Sequence, residues 1–258
     1  MIRRTLEGWN EPSRRRSDGT RWLINRELAP EALGMLGVQE VSRGSRLPAH
    51  LLSGAESVTF MLSGKGHWLA DGQPWPLTPG EGVFNPPGTR RAFEAAGDQD
   101  SLLLVAYGGT ADPRDAVPQP ADGVLACGCR ISRMADAGTS PLREAGGFID
   151  MGVHWLATTQ SVGTRAVVVA TSTFTPGGSH QLHRHPHADE FFLVLQGGGE
   201  HLTKEGPVRL EPGDLAYIPA GEWHGFRTDP GVTTRTVYGY LGAGSLARAG
   251  YELLEEET

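Results

Sequence analysis

Adding 133 to a residue number carries the first half of this 258-residue chain onto the second without a gap. Gly44 falls on Gly177, His50 on His183, Gly64 on Gly197 and Gly66 on Gly199. The same shift lays Leu77 on Leu210, Pro79 on Pro212, Gly80 on Gly213 and Pro86 on Pro219. Gly88, Phe93 and Tyr107 then meet Gly221, Phe226 and Tyr240. A constant offset of this kind means two copies of one supersecondary unit.

Each copy reads as short strands between turn signals. Met35–Val41, Val58–Leu62, Val83–Asn85 and Ser101–Tyr107 are the runs of the first copy. Ala166–Phe174, Glu190–Gln196, Pro207–Leu210, Leu215–Ile218 and Thr233–Leu241 are those of the second. Pro176-Gly177-Gly178, Gly197-Gly198-Gly199 and Pro212-Gly213-Asp214 punctuate them, and 36 Gly with 18 Pro suit many tight turns better than a helical bundle. The spacing predicts an all-β chain of tandem antiparallel, jelly-roll-like barrels. It divides into an N-terminal extension (1–33), a first barrel (34–110), a crossover (111–150), a second barrel (151–245) and a tail (246–258). A helix is expected near Pro30–Leu36, and the Glu255-Glu256-Glu257 tail is expected to fray.

The charge balance excludes some partners. Against 23 Lys and Arg stand 30 Asp and Glu, for a net charge of −7 and no basic stripe, so phosphate neutralisation on nucleic acid is not expected. No window approaches the ~20 apolar residues that cross a bilayer, and Met1-Ile2-Arg3-Arg4 leads into no apolar stretch of a secretory signal. A cytoplasmic protein is expected, with a homodimer left open. Cys127 and Cys129 form a single Cys-Gly-Cys, too little for a disulfide framework or a metal cluster, and are expected to be reduced.

The second copy carries two motifs. Residues 177–197 read Gly-x5-His-x-His-x4-Glu-x6-Gly, with Gly177, His183, His185, Glu190 and Gly197. Residues 213–224 read Gly-x5-Pro-x-Gly-x2-His, with Gly213, Pro219, Gly221 and His224. These resemble the two motifs of the cupin superfamily, and the two copies together resemble a bicupin over about residues 35–109 and 165–241. Where the second motif often ends in Asn, this chain has Thr228.

Strand alternation agrees with the resemblance: His183 and His185, two apart, share one face. Glu190 opens the next strand, and the Pro-x-Gly turn aims His224 back into the barrel. Three neutral imidazoles and a carboxylate suit one divalent transition metal, Fe(II) or Mn(II) foremost, with Ni, Cu and Zn open. His187, His180 and His201 are expected to be surface or supporting residues rather than ligands. Phe192 and Phe226 share the ligand face by parity, and Gln181, Tyr217 and Trp223 are further pocket candidates for a small-molecule substrate. In the first copy the offset returns His50, Leu52, Ser57 and Arg91. An apolar Leu and a permanent cation there predict a metal-free barrel; a lesser alternative has Arg91 and His50 bind an anion.

Resemblance to cupin dioxygenases implies an oxygenase, with Glu190 shifting between ligand and proton acceptor. The alternatives are a non-redox isomerase, cyclase, decarboxylase or lyase using the same four ligands as a Lewis-acid site, or a small-molecule binding module without catalysis.

Overall fold

The offset of 133 is realised as two antiparallel β-barrels. The structure, a computed structural model, describes residues 2–5, 20–51, 54–70, 73–115, 119–120, 129–132, 139–140 and 146–254. In the first barrel one sheet runs in the order Arg130–Ser132, Gly82–Asn85, Glu56–Ser63, Ser101–Gly108, Met35–Val41 and Thr20–Ile24. The facing sheet runs Gln119–Pro120, Arg46–Leu51, Arg91–Ala95, Gly66–Ala70 and Gln73–Leu77. The second barrel follows the path Ile2–Thr5, Asp214–Ile218, Asp189–Gln196, Thr234–Leu241, Val169–Arg184, His224–Thr228, Gly199–Leu202 and Val208–Leu210.

Each barrel borrows an edge strand from outside its own repeat. Ile2–Thr5 pairs with Asp214–Ile218 in the second barrel, and Arg130–Ser132 pairs with Gly82–Asn85, the equivalent strand of the first. Backbone groups that would otherwise lie open on an edge are thereby paired. The segment expected to be only a crossover thus contributes strands.

The repeat's shared Gly66 and Gly199 have a packing reason. A Cβ on Gly199 would lie 2.3 Å from the Arg227 carbonyl oxygen and 2.7 Å from the Phe226 ring. On Gly66 it would lie 2.3 Å from both the Glu94 carbonyl oxygen and the Phe93 ring. The conserved offset pairs each glycine with a phenylalanine that fills its space.

Three expectations are corrected. Residues 30–34 are turns rather than a helix, and a strand begins at Met35. The Leu33 N–H is taken by the Asp189 carboxylate at 2.8 Å instead of a helical carbonyl. Second, the strand expected to stop at Phe174 continues to Arg184, because Phe148–Ala157 pairs on both sides of Pro176-Gly177-Gly178 and bridges it. Third, Cys129 is disulfide-bonded; the chain's other cysteine, Cys127, lies outside the described residues, as do Glu255-Glu256-Glu257.

Alternation divides the second barrel's side chains between two cores. Phe191, Leu193, Leu215, Tyr217, Val237 and Leu241 point outward and join one continuous core with Met35, Leu36, Val105 and Tyr107 of the first barrel. Phe192, Val194, Ala216, Ile218, Tyr238 and Tyr240 point into the second barrel's interior. Removing such side chains from water stabilises by about 1.5–3 kcal/mol each, which holds the floor of the site rigid. No helix among the described residues is long and apolar enough to cross a membrane.

Candidate metal centre

His183 and His224 lie opposite each other where the strands Val169–Arg184 and His224–Thr228 pair. Glu190 is the second residue of Asp189–Gln196, opposite Ile218 and Tyr240. The Gly221 N–H donates to the His185 carbonyl at 2.8 Å, pinning the turn before His224 against the histidine pair. All four side chains are buried, and their ligand atoms lie within 4.8 Å of one another.

Each imidazole is oriented by a backbone carbonyl. His183 Nδ1 meets the Gln181 oxygen at 2.8 Å, His185 Nδ1 the Gly250 oxygen at 2.6 Å, and His224 Nδ1 the Glu222 oxygen at 2.9 Å. A carbonyl only accepts, so each Nδ1 carries a proton; in His183 and His185 this leaves Nε2 with a lone pair turned inward, while His224 Nε2 meets Glu190 Oε2 at 3.2 Å. His183 Nε2 and His185 Nε2 are buried without a hydrogen-bond partner. His185 Nε2 lies 3.1 Å from Glu190 Oε2, yet not in hydrogen-bond geometry, as expected of groups aimed at a common point rather than at each other. Orphaned buried nitrogens are costly, and a divalent cation among them fits the donor set of three nitrogens and a carboxylate.

The electrostatics match. Burial raises Glu190, but His224 and His185 beside it outweigh that and hold its carboxyl well below the usual range. Burial pushes His183 far down, with His180, His224 and His185 adding to it. Burial also lowers His224, but the Glu190 carboxylate more than reverses it, leaving this imidazole raised. Protonation of His224 therefore competes with a cation at a higher pH than protonation of His183. Metal affinity is expected to fall on acidification, starting above the ordinary imidazole value of 6.5. A chelator-competition titration between about pH 5 and 8 checks this; an affinity flat across that range contradicts it.

Beside Glu190 opens a small cavity. Its wall is aromatic, with Phe148, Trp155, Phe174, Phe192, Tyr238, Tyr240 and Tyr251, and it takes in His180. Among the described residues no lysine or arginine lines it.

Of the expected pocket residues, Phe192 lines this cavity. Phe226 packs behind it, its ring 5.0 Å from those of Phe174 and Phe192. Tyr217 stands opposite Phe191 on the outward face, where its hydroxyl donates to Asp189 Oδ2 at 3.0 Å. Trp223 carries Arg184 and Lys204 against its ring at 4.8 and 4.9 Å, outside the cavity wall. Gln181 is exposed: a register shift between His180 and His183 reverses the parity, so His180 takes the inward place that alternation assigned to Gln181. His187 is exposed, as expected.

The C-terminal segment was not expected at the site. A short helix, Leu246–Ala249, capped by Ser245, is followed by Glu252–Leu253, which pairs with Arg184 and His183. Between them Gly250 orients His185, and the Tyr251 ring lies 5.1 Å from that of His183. His201 was also underrated: it is buried with both ring nitrogens unpartnered, parallel to His224 at 6.1 Å, and burial pushes it down to about 3. Its counterpart in the first copy is Trp68.

In the first barrel Arg91 stands opposite His50, just as His224 stands opposite His183. The buried Arg91 guanidinium donates to the Ser57 hydroxyl, in the place of Glu190, and lies 5.8 Å from the Tyr107 ring, counterpart of Tyr240.

Two antiparallel barrels, one with a three-histidine, one-glutamate cluster at its floor, define a two-domain metal-site protein of the bicupin type. The chain belongs to the cupin family: the profile described as "Cupin domain" matches residues 37–107 and 170–235, just over half of the chain. A structure of Bacillus subtilis oxalate decarboxylase superimposes with a TM-score of 0.71 at 13% identity, covering 98% of this chain and 79% of that one. The Lactobacillus farciminis oxalate decarboxylase–formate complex gives 0.68 at 13%, covering 94% and 86%. A curated relative, the "Polyketide synthase CurC" of Streptomyces cyaneus, is 24% identical over 94 residues, 36% of this chain and 61% of its own length. At these identities the likeness shows the fold.

Proposed function

We propose that this chain is a metal-dependent enzyme of the non-redox kind, a decarboxylase, cyclase or lyase, acting on a planar organic molecule that bears hydroxyl or carbonyl oxygens. The observation that carries this reading is the cavity wall beside Glu190, largely aromatic and, among the described residues, without a lysine or arginine. A small dianion such as oxalate finds no arginine or lysine there to pair with, whereas a flat, weakly charged ring system finds stacking surfaces. The polyketide relative supports that substrate class, and the oxalate decarboxylase neighbours support the reaction class. None of the relatives named above supports the oxygenase expectation, and its alternative is adopted.

His183, His185, Glu190 and His224 would hold the metal, for which Mn(II) is the first candidate because the Bacillus subtilis oxalate decarboxylase has Mn(II) centres. A bound divalent ion supplies Lewis acidity, drawing electron density from a substrate oxygen. The chain supplies the rest. Phe192, Tyr238 and Tyr240 line the pocket against the ring plane, and Glu190, kept ionised by the imidazoles beside it, is suited to hold the metal rather than to act as a base.

The test is turnover without oxygen. Protein loaded with Mn(II) or Fe(II) in an anaerobic chamber is given a panel of phenols, enols and β-keto acids. Product formation at the same rate with and without air is expected. Oxygen uptake in step with substrate loss, and no anaerobic turnover, would return the site to the oxygenase reading.

A further inference from the structure

A chain of three polar groups, His180 and Tyr251 on the cavity wall and the Gly146 carbonyl behind them, is not used by the ligand set. His180 Nε2 lies 3.1 Å from the Tyr251 hydroxyl, and that hydroxyl donates to the Gly146 carbonyl. A carbonyl has no proton to give, so the one hydroxyl hydrogen is committed to Gly146. Toward His180 the phenol oxygen is then an acceptor, and the imidazole must carry its proton on Nε2. A neutral ring has one such proton, which leaves Nδ1 as a bare acceptor.

Packing holds that arrangement. The His180 ring stacks on Phe148 at 4.2 Å and on His183 at 3.7 Å, and Tyr251 stacks on Phe148 at 5.6 Å. His183, His185 and His224 each spend Nδ1 on a backbone carbonyl. His180 Nδ1 has no partner among the described residues, and its ring lines the same cavity as Glu190. An acceptor fixed in tautomer and plane, on a wall it shares with Glu190 and the tyrosines, recognises a donor on whatever enters.

We propose that His180 Nδ1 accepts a hydrogen bond from a hydroxyl of the bound molecule, so that the pocket selects planar compounds carrying a phenol or enol O–H. Tyr251 and Gly146 are positioning groups that set the tautomer. This deepens the function proposed above and rests on it, because it names the atom that reads the substrate's hydroxyl.

The test uses the full-length, Mn(II)-loaded protein and two probes of nearly equal size, β-naphthol and 2-fluoronaphthalene, of which only the first carries a donor. Calorimetric titration is expected to show β-naphthol binding about three- to tenfold more tightly. His180→Phe abolishes that preference without changing metal content. His180→Asn, whose side-chain oxygen stands near the place of Nδ1, restores part of it, and Tyr251→Phe reduces it by releasing the tautomer. Heteronuclear NMR of the histidine rings is expected to find His180 protonated on Nε2 alone. Equal affinity for the two probes, binding of neither, or a proton on Nδ1 overturns the proposal. A hydroxyl preference without anaerobic turnover sinks the proposed reaction while leaving this recognition intact; anaerobic turnover without the preference does the reverse.

Discussion

His185→Ala, purified and metal-loaded beside the unaltered chain, binds divalent metal at least about a hundredfold more weakly and has no measurable activity. Even groups that merely orient a ligand are worth about ten- to a hundredfold in metal affinity, and this substitution removes the donor itself. It also strands the Gly250 carbonyl that orients the ring. His183→Ala and His224→Ala behave alike, since each withdraws one of three inward nitrogens from a cluster whose atoms lie within 4.8 Å. Arg91→Ala leaves metal content unchanged, because the first barrel is proposed to hold none. Metal analysis after dialysis, with melting curves as the folding control, checks the set. A His185→Ala protein that keeps its metal, or an Arg91→Ala protein that loses it, contradicts the assignment.

The second large effect concerns the joint between the barrels. The buried Glu56 carboxylate accepts from the Thr164 hydroxyl at 2.5 Å, the Arg165 N–H at 2.9 Å and the Ala166 N–H at 2.7 Å. One side chain at the start of a first-barrel strand thereby satisfies the loop that leads into the second barrel's long strand. Glu56→Ala takes the acceptor from the Arg165 and Ala166 N–H groups in a partly buried loop, while the Thr164 hydroxyl keeps the Val167 carbonyl at 2.8 Å. The expected cost is about 3–5 kcal/mol, a fall in Tm of roughly 10 °C for a chain of this size. Glu56→Gln keeps one accepting oxygen and is expected to lose about half as much. Melting curves decide it: an alanine variant within a degree or two of the unaltered protein would mean that the loop finds other partners.

Some of the site was legible because the chemistry repeats at a fixed interval. His183 and His185 share a face by strand parity, and the offset that finds them also finds Arg91 and Ser57 where His224 and Glu190 stand. Tyr217 and Gln181 were misplaced for a related reason. Parity holds only along an unbroken ladder paired in a known register, and the shift between His180 and His183 turns Gln181 out and His180 in. Tyr217 sits opposite Phe191, outward by pairing that no single strand reveals. Tyr251 and Gly250 left no periodic trace at all. They reach the histidines across 71 and 65 positions of chain, through a turn of helix and a two-residue strand. The helix expected over Pro30–Leu36 failed to form because Met35 and Leu36 are paired in a strand with Tyr107 and Ala106, about 70 positions away.

Diffraction from crystals soaked in Mn(II), with anomalous data collected at the manganese edge, speaks most directly to the claim that the carboxy-terminal barrel alone is a metalloprotein. One peak, ringed by the Nε2 atoms of His183, His185 and His224 and an oxygen of Glu190, with nothing beside Arg91, is the predicted map. No peak at that cluster, or one lodged between His50 and Arg91, would contradict it.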